Sequence, residues 1–159
     1  MSIFYRVDNR LVHGQIISTW MPHLRINHFL IASDSVHQNS LQMTMFRMAI
    51  PSEHEFSALS ISDSARFLNE HRKSSGSILV LFESVSDAEA LFESGHLFPQ
   101  LNIGNIHHES GKTQFTNSVF LDQDEQSKLK TLLNRGLSIN IQTLPTEAPT
   151  DLRRIFEAL

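Results

Sequence analysis

The chain has 159 residues, 40% of them hydrophobic and 19% charged, with a formal net charge of −4. That length supports one domain with a real core, residues 1–159, and the acidic balance argues against nucleic acid as a partner. Zero cysteines exclude disulfides, thiol catalysis and cysteine-ligated metals, while the lack of a long apolar run and of a signal-peptide pattern points to the cytoplasm.

Ser2 to Arg6 reads as a strand, with Ile3, Tyr5 and Val7 alternating along it. Asp8 to His13 follows as a loop, and Gln15 to Trp20 reads as the first turns of a helix. Ile26 to Ala32 is a second strand, closed by the turn residues Ser33, Asp34 and Ser35. Between Gln38 and Ile50, Leu41, Met45, Met48 and Ala49 fall at helical spacing, and Pro51 stops the helix. His54 to Leu59 makes a third strand. Ser62-Asp63 caps a helix carrying Ala65, Phe67 and Leu68, and Ile78 to Phe82 is an unbroken apolar run of buried-strand type.

Ser86-Asp87 opens a further helix through Leu91 and Phe92, closed at Gly95. Leu101 to Ile103 is a short strand ending at Gly104, and Thr113 to Leu121 alternates again with Phe115 and Val119 on one face. Asp122 and Glu125 have capping-box spacing, followed by Leu129, Leu132 and Leu133, with Gly136 past the helix end. Leu137 to Ile141 alternates as a last strand, and Asp151 to Leu159 is a terminal amphipathic helix. Strand and helix alternate throughout. The pattern predicts a three-layer α/β fold: an open, mostly parallel twisted sheet with helices on both faces.

In such sheets ligands bind beyond the carboxyl ends of the strands. The loops Asp8–His13, Ser33–Val36, Ser60–Ser62, Glu83–Ser86 and Gly104–His108 belong to that edge; Pro51–Glu53 belongs to the other. His13 therefore sits where a strand hands over to a helix on the working edge. A neutral imidazole is nucleophilic near neutral pH, its reference pKa being about 6.5. Free N–H groups of Gly14, Gln15 and Ile16 at the helix start can hold phosphate oxygens, and Arg10 can add a planar fork of donors. Gly14 allows close backbone approach, and Asp8 can orient Arg10 or the imidazole. The plain alternative is a histidine exposed in an ordinary loop.

Other motifs are weaker. Six residues separate Gly104 from Gly111-Lys112-Thr113 where a P-loop needs four, so Gly111 is a turn residue. No Gly-x-Gly-x-x-Gly follows the first strand, which argues against a dinucleotide. His107 and His108 are adjacent on the working edge but lack further ligands at metal spacing, and no metal or cofactor is expected. Met43, Met45 and Met48 belong to a helix as core or surface. Trp20 is either core or an aromatic that a partner covers.

The run Arg6-Val7-Asp8-Asn9-Arg10-Leu11-Val12-His13-Gly14-Gln15, with Trp20, resembles the active-site signature of the IIB component of the mannose/fructose/sorbose family of the bacterial phosphoenolpyruvate-dependent sugar phosphotransferase system. Asp34-Ser35-Val36, Met48 to Pro51, Leu101 to Gly104 and Gly136 to Pro145 echo later elements of that family, so the likeness runs the whole chain. It implies a protein-N-phosphohistidine–sugar phosphotransferase. His13 would accept a phosphoryl group from a phosphorylated IIA domain and pass it to a sugar delivered by membrane IIC and IID partners. Arg10, Gly14 and Gln15 would bind the phosphate, Asp8 and Arg6 would shape the loop, and Trp20, Asn105 and His107 are candidate partner contacts.

The resemblance also implies a cytoplasmic protein, peripherally associated with its membrane partners, and it leaves oligomerisation open. His37, Asn39, Asn105 and Ser52 to Glu55 depart from the family pattern, the first three on surfaces concerned with docking and sugar preference. A regulatory phosphohistidine switch that signals through protein binding is the alternative. An unrelated hydrolase is a distant third, since no Gly-x-Ser-x-Gly elbow is present.

Overall fold

The computed structural model describes residues 2–159; Met1, included in the expected domain, lies outside the described residues. Among the described residues nine strands are present: β1 (Ser2–Asp8), β2 (His28–Ala32), β3 (Glu55–Leu59), β4 (Ser77–Phe82), β5 (Gln100–Asn105), β6 (Thr113–Gln114), β7 (Phe120–Leu121), β8 (Ser138–Ile141) and β9 (Thr150–Asp151). Seven of them form one sheet in the order β3-β2-β4-β1-β5-β8-β9. All neighbours in it run parallel except β8 and β9. The predicted α/β architecture is the one observed.

Helices cover both faces, which is why β4 can be apolar along its length. Val80 and Phe82 face a core built with α4 (Ile61–Glu70), α5 (Val85–Glu93) and α6 (Gln123–Asn134). Leu79 and Leu81 face a second core holding Leu11, Ile16, Trp20 and Phe29. All four of these β4 side chains are fully buried. The short α7 (Leu152–Glu157) closes the first core through Leu152.

The helix starts explain two shifts from the predicted boundaries. Ser60 accepts from the Asp63 N–H at 3.1 Å, and Ser84 from the Asp87 N–H at 3.1 Å. Each cap therefore lies two residues before the Ser-Asp pair chosen from sequence, because Ser-x-Ser-Asp offers two serines and the first has the capping geometry. Asp122 and Glu125 form the predicted capping box, and Gly136 takes the left-handed φ of +96° after the helix.

Two other readings need correction. Thr113 to Leu121 is not one strand: β6 and β7 pair antiparallel, and Phe115 N–H donates to the Val119 carbonyl across the turn. Alternation alone does not distinguish a strand from a tight hairpin. The helix predicted between Gln38 and Ile50 is α3 (Ser40–Ala49), capped by Asn39, but the turn read at Ser33 to Ser35 opens a short helix of its own, α2 (Asp34–His37). The inner side of α3 carries Met43 and Phe46, while Leu41, Met45 and Met48 are 71%, 61% and 81% exposed. The apolar stripe read from the sequence faces outward.

Candidate phosphoryl-transfer site

The site grows from the end of β1. Asp8 is its last residue, and the Leu11 N–H closes a turn onto the Asp8 carbonyl at 2.9 Å. Leu11 then adopts a φ of +57°, a left-handed conformation that costs a residue with a Cβ about 1–2 kcal/mol. Burial of its side chain against Ile16 and Trp20 holds it there. The kink turns the Leu11 carbonyl back toward His13, whose Nδ1 lies 2.8 Å from it.

Helical residues 14–24 begin directly after the histidine. Ile16–Trp20 is wound wider than an α-helix, and Met21–Leu24 (α1) completes the element. The first N–H groups of this helix face the same edge as the imidazole and have no earlier carbonyl to bind, as at any helix start.

Charge is concentrated on Asp8, which is fully buried. Arg10 grips it with two parallel bonds, Nε to Oδ1 at 3.0 Å and Nη2 to Oδ2 at 3.0 Å. The Arg10 side chain stays 38% exposed, so the fork is fixed at its base and open to solvent. Beneath Asp8 lies Arg6, also fully buried, with Nη2 3.5 Å from Asp8 Oδ2. Arg6 donates to the Gln142 carbonyl at 2.8 Å, the Thr143 carbonyl at 3.2 Å and the Asn102 side chain. Burial pulls its pKa down to about 10, against the pull of Asp8, so it remains a cation at neutral pH.

Two residues make room for that cation. Trp20 lies under the guanidinium, 4.5 Å from its carbon to the ring centre, and its indole N–H donates to the Thr143 carbonyl at 3.1 Å. On the other side, a Cβ on Gly104 would come within 1.9 Å of Arg6 Nη2. The β1–β5 register also skips at Gly104, pairing Val7 with Ile103 and Asp8 with Asn105. The glycine of Asn-Ile-Gly is there because an arginine crosses it.

His13 stands over this charged base. Its Nε2 is 3.9 Å from Asp8 Oδ2, is closed off from solvent and has no hydrogen-bond partner among the described residues. Burial lowers the imidazole pKa below its ordinary value; the Leu11 carbonyl and Asp8 oppose this, while Arg10 and Arg6 reinforce it. The ring is therefore neutral at pH 7, the form with a lone pair to offer.

Of the residues singled out by sequence, Arg6, Asp8, Arg10, His13 and Gln15 come together; Gln15 Oε1 accepts from Arg10 Nη2 at 3.4 Å. A Cβ on Gly14 would meet open space, so no close approach within the chain requires this glycine. Trp20 is 2% exposed and is no partner contact: its face and its N–H are both spent on fixing Arg6 and Thr143. Asn105 is half-buried and braces the loop, its amide 2.8 Å from that of Asn9 and its carbonyl accepting from the Asn9 N–H at 3.0 Å. His107 is exposed and bonds to the Asn9 side chain, which leaves it available on the working edge.

Sequence reading missed Leu11, Asn102 and the Gln142–Thr143 carbonyls. Only Asn102 carried a signal, a polar residue inside an apolar strand two residues before Gly104. The carbonyls carry none, since any residue supplies one. Among the described residues no three His, Asp or Glu side chains gather into a metal-binding group.

A doubly wound α/β protein with an arginine-flanked, neutral histidine at a strand-to-helix junction belongs to a class that handles phosphate. Residues 2–158 match the family described as "PTS system sorbose subfamily IIB component", and the chain belongs to that family. It is 28% identical over 154 residues to the fructose-specific EIIB component of Bacillus subtilis (strain 168), covering 97% of this chain and 94% of that one. It is 27% identical over 157 residues to the N-acetylgalactosamine-specific phosphotransferase enzyme IIB component 2 of Escherichia coli (strain K12), covering 97% and 98%. A solved structure described as a phosphoenolpyruvate-dependent phosphotransferase system superposes with a TM-score of 0.90 at 28% identity, over 100% of this chain and 99% of that one. The IIBSor domain of the sorbose permease from Klebsiella pneumoniae shares the fold, with a TM-score of 0.90 at 22% identity over 99% and 98% of the two chains. The chain is thus a IIB component of a sugar-transport phosphotransferase family.

Proposed function

We propose that residues 1–159 act as one phosphoryl-carrier domain, taking a phosphoryl group onto His13 from the phosphohistidine of a IIA partner and giving it to a sugar. The observation that carries this reading is the Asp8-held Arg10 fork beside a neutral imidazole at a helix start. In the first step an imidazole lone pair of His13 attacks phosphorus. The phosphorus–nitrogen bond of the donor breaks, and its electron pair returns to the donor ring. In the second step a sugar hydroxyl oxygen attacks, the bond to His13 breaks, and the hydroxyl proton leaves to solvent.

Geometry favours Nδ1 as the acceptor atom. Nε2 is walled off over Asp8, where a carboxylate supports an N–H. Moving the ring proton to Nε2 frees Nδ1, which then needs only to give up the Leu11 carbonyl. Arg10 and the helix N–H groups meet the equatorial oxygens, and catalysis is positioning and charge stabilisation. One relative supports a IIA partner. The mannose-specific EIIAB component of Escherichia coli (strain K12) matches over 44% of its length at 25% identity, and its name joins an A part to the B part. No helix among the described residues is long and apolar enough to cross a membrane, which fits a cytoplasmic carrier working against IIC and IID.

The test is to mix the protein with phosphoenolpyruvate, the general phosphotransferase proteins and a matching IIA, and to measure intact mass. An acid-labile phosphoryl adduct that is lost in His13→Ala is expected. No adduct with a competent IIA overturns the proposal, and an adduct that no sugar ever discharges in the presence of IIC and IID favours the regulatory switch instead.

A further inference from the structure

A row of three polar side chains crosses the sheet beneath the site. Arg6 on β1 pairs in register with Asn102 on β5, and Asn102 with Asn140 on β8. Their strand neighbours Val7, Leu101, Ile103, Ile139 and Ile141 point into the first core, so the row lies on the other face. Arg6 is 0% and Asn102 3% exposed. Burying an amide beside a guanidinium is costly unless both ends of the amide are bonded. Here both are. Oδ1 of Asn102 accepts from Arg6 Nη1, while Nδ2 donates to Asn140 Oδ1 at 2.6 Å and reaches Gln142 Oε1 at 3.5 Å. Two acceptors on the nitrogen side fix which end of the amide meets Arg6.

The charges of the site meet at one atom, Asp8 Oδ2. Arg10 Nη2 lies 3.0 Å from it, Arg6 Nη2 3.5 Å and His13 Nε2 3.9 Å. Arg10 is at bonding distance, whereas Arg6 stands off. Other acceptors draw Arg6 sideways: Asn102 Oδ1 and the Gln142 carbonyl hold Nη1, and the Thr143 carbonyl shares Nη2. Given the reading of His13 as phosphoryl acceptor, we infer that Asn102 is a positioning residue for the transfer, its amide oxygen holding the Arg6 guanidinium off Asp8 so that the carboxylate serves Arg10 and His13.

A neutral acceptor is what this task needs. An apolar side chain at position 102 releases Arg6 onto Oδ2, where it competes with Arg10 for the same oxygen and loosens the fork. A carboxylate there pulls Arg6 away and adds a second negative charge. The charged groups that act on the His13 ring are Asp8, Arg10 and Arg6, so the ring itself reports the Arg6–Asp8 separation. A cation closer to Asp8 leaves less negative charge to favour the imidazolium and lowers the His13 titration midpoint; a cation drawn away raises it. Asn140 is half-buried and bonds to none of Asp8, Arg10 or His13, yet it orients the Asn102 amide from two strands away.

Nitrogen-15 NMR titrations of His13 in the unphosphorylated protein, beside rates of transfer from a phosphorylated IIA, test this. The His13 midpoint is expected to fall by about 0.5 pH unit in Asn102→Ala and to rise by about as much in Asn102→Asp. In Asn102→Ala, kcat for transfer is expected to drop about 10- to 100-fold with KM unchanged, since a side chain 3% exposed meets no donor. Asn140→Ala frees the same amide and is expected to move both readings as Asn102→Ala does, by less; it decides the matter if the Asn102 variants do not fold. Midpoints that stay put, or that move in one direction in both Asn102 variants, overturn the inference, as does a raised KM with kcat unchanged. The titrations need no phosphoryl donor. Midpoints shifted as expected, with a wild-type protein that takes up no phosphate, support this placing of Arg6 and overturn the phosphoryl reading of His13 instead.

Discussion

The half-buried His13 and the buried His96 sit at opposite edges of the sheet, and their partners differ. His96, in the loop before β5, is 1% exposed and has both ring nitrogens engaged, Nε2 with the Tyr5 hydroxyl at 2.5 Å and Nδ1 with Asn69 Oδ1 at 2.7 Å. His13 has one nitrogen held by a backbone carbonyl and the other held by nothing among the described residues. Burial lowers the pKa of both. A buried polar atom without a partner costs about 1–3 kcal/mol, and among the described residues two side-chain atoms bear that cost, His13 Nε2 and Arg6 Nε, both at this site. Saturation fits a structural His96, and the open nitrogen of His13 supports the proposal that it is the reacting group. The same contrast separates the edges: Arg47 is satisfied by three carbonyls below, whereas Arg10 is fixed by one carboxylate above and keeps donors in reserve.

The largest effect expected short of removing His13 comes from Arg10→Ala. Losing the fork should slow phosphoryl transfer to His13 by about 100- to 1,000-fold, the scale for one lost charge-stabilising donor. Thermal stability should change little, since Arg6 still faces Asp8. A quenched-flow transfer rate beside a melting curve checks this, and an unchanged rate removes Arg10 from the mechanism.

Gly104→Ala and Gly14→Ala sharpen the difference between a glycine the fold needs and one it does not. The first places a Cβ within 1.9 Å of Arg6 Nη2 and must displace a buried cation; a loss of about 3 kcal/mol in chemical denaturation is expected. The second meets open space in a helical turn and should leave stability unchanged or raise it by up to about 1 kcal/mol. If Gly14→Ala nonetheless slows transfer, the space at position 14 belongs to the phosphoryl donor.

The pH dependence of stability tests the saturated histidine. The unfolded chain protonates His96 near 6.5, whereas the folded one resists until about 4. Protons therefore favour unfolding as pH falls between those values, and the contribution of His96, full above pH 6.5, declines by at most about 3 kcal/mol as pH drops to 4. Asp87 works against this slope. Burial and the Glu83 carboxylate raise it to about 6, so its contribution is largest in acid and is lost as pH rises through that value. The two slopes largely offset each other, so denaturation midpoints should vary little from pH 4 to pH 7 in the wild type and fall with rising pH in His96→Gln, where His96 no longer opposes Asp87; an unaltered slope refutes the assignment.

A modest effect is expected of Trp20→Phe, which keeps an aromatic face for Arg6 and loses the bond to the Thr143 carbonyl, costing about 1 kcal/mol in stability. Weakened binding to a IIA partner with unchanged stability would return Trp20 to the surface.

What was legible in the sequence follows the range of the forces involved. The β4 run, the Asp122–Glu125 box and the His13 loop are local patterns, and they appear where local physics puts them. Periodicity in α3 disclosed an apolar face but not its direction, because Met43 and Phe46 supply a second apolar side that packs inward. Trp20 was undecidable for a similar reason: what buries it is an arginine fourteen residues earlier and a carbonyl 123 residues later. The left-handed Leu11 has no local cause at all. It exists because the loop must turn His13 over Asp8 while burying a leucine.

Nitrogen-15 and phosphorus-31 NMR of the protein's histidines, recorded before and after phosphorylation through IIA, tests the central claim most directly. The account predicts that His13 alone acquires phosphorus, bonded at Nδ1, while the His96 resonances keep their neutral tautomer. A phosphoryl group on any other histidine, or a His13 ring unchanged while the protein carries phosphate, contradicts it.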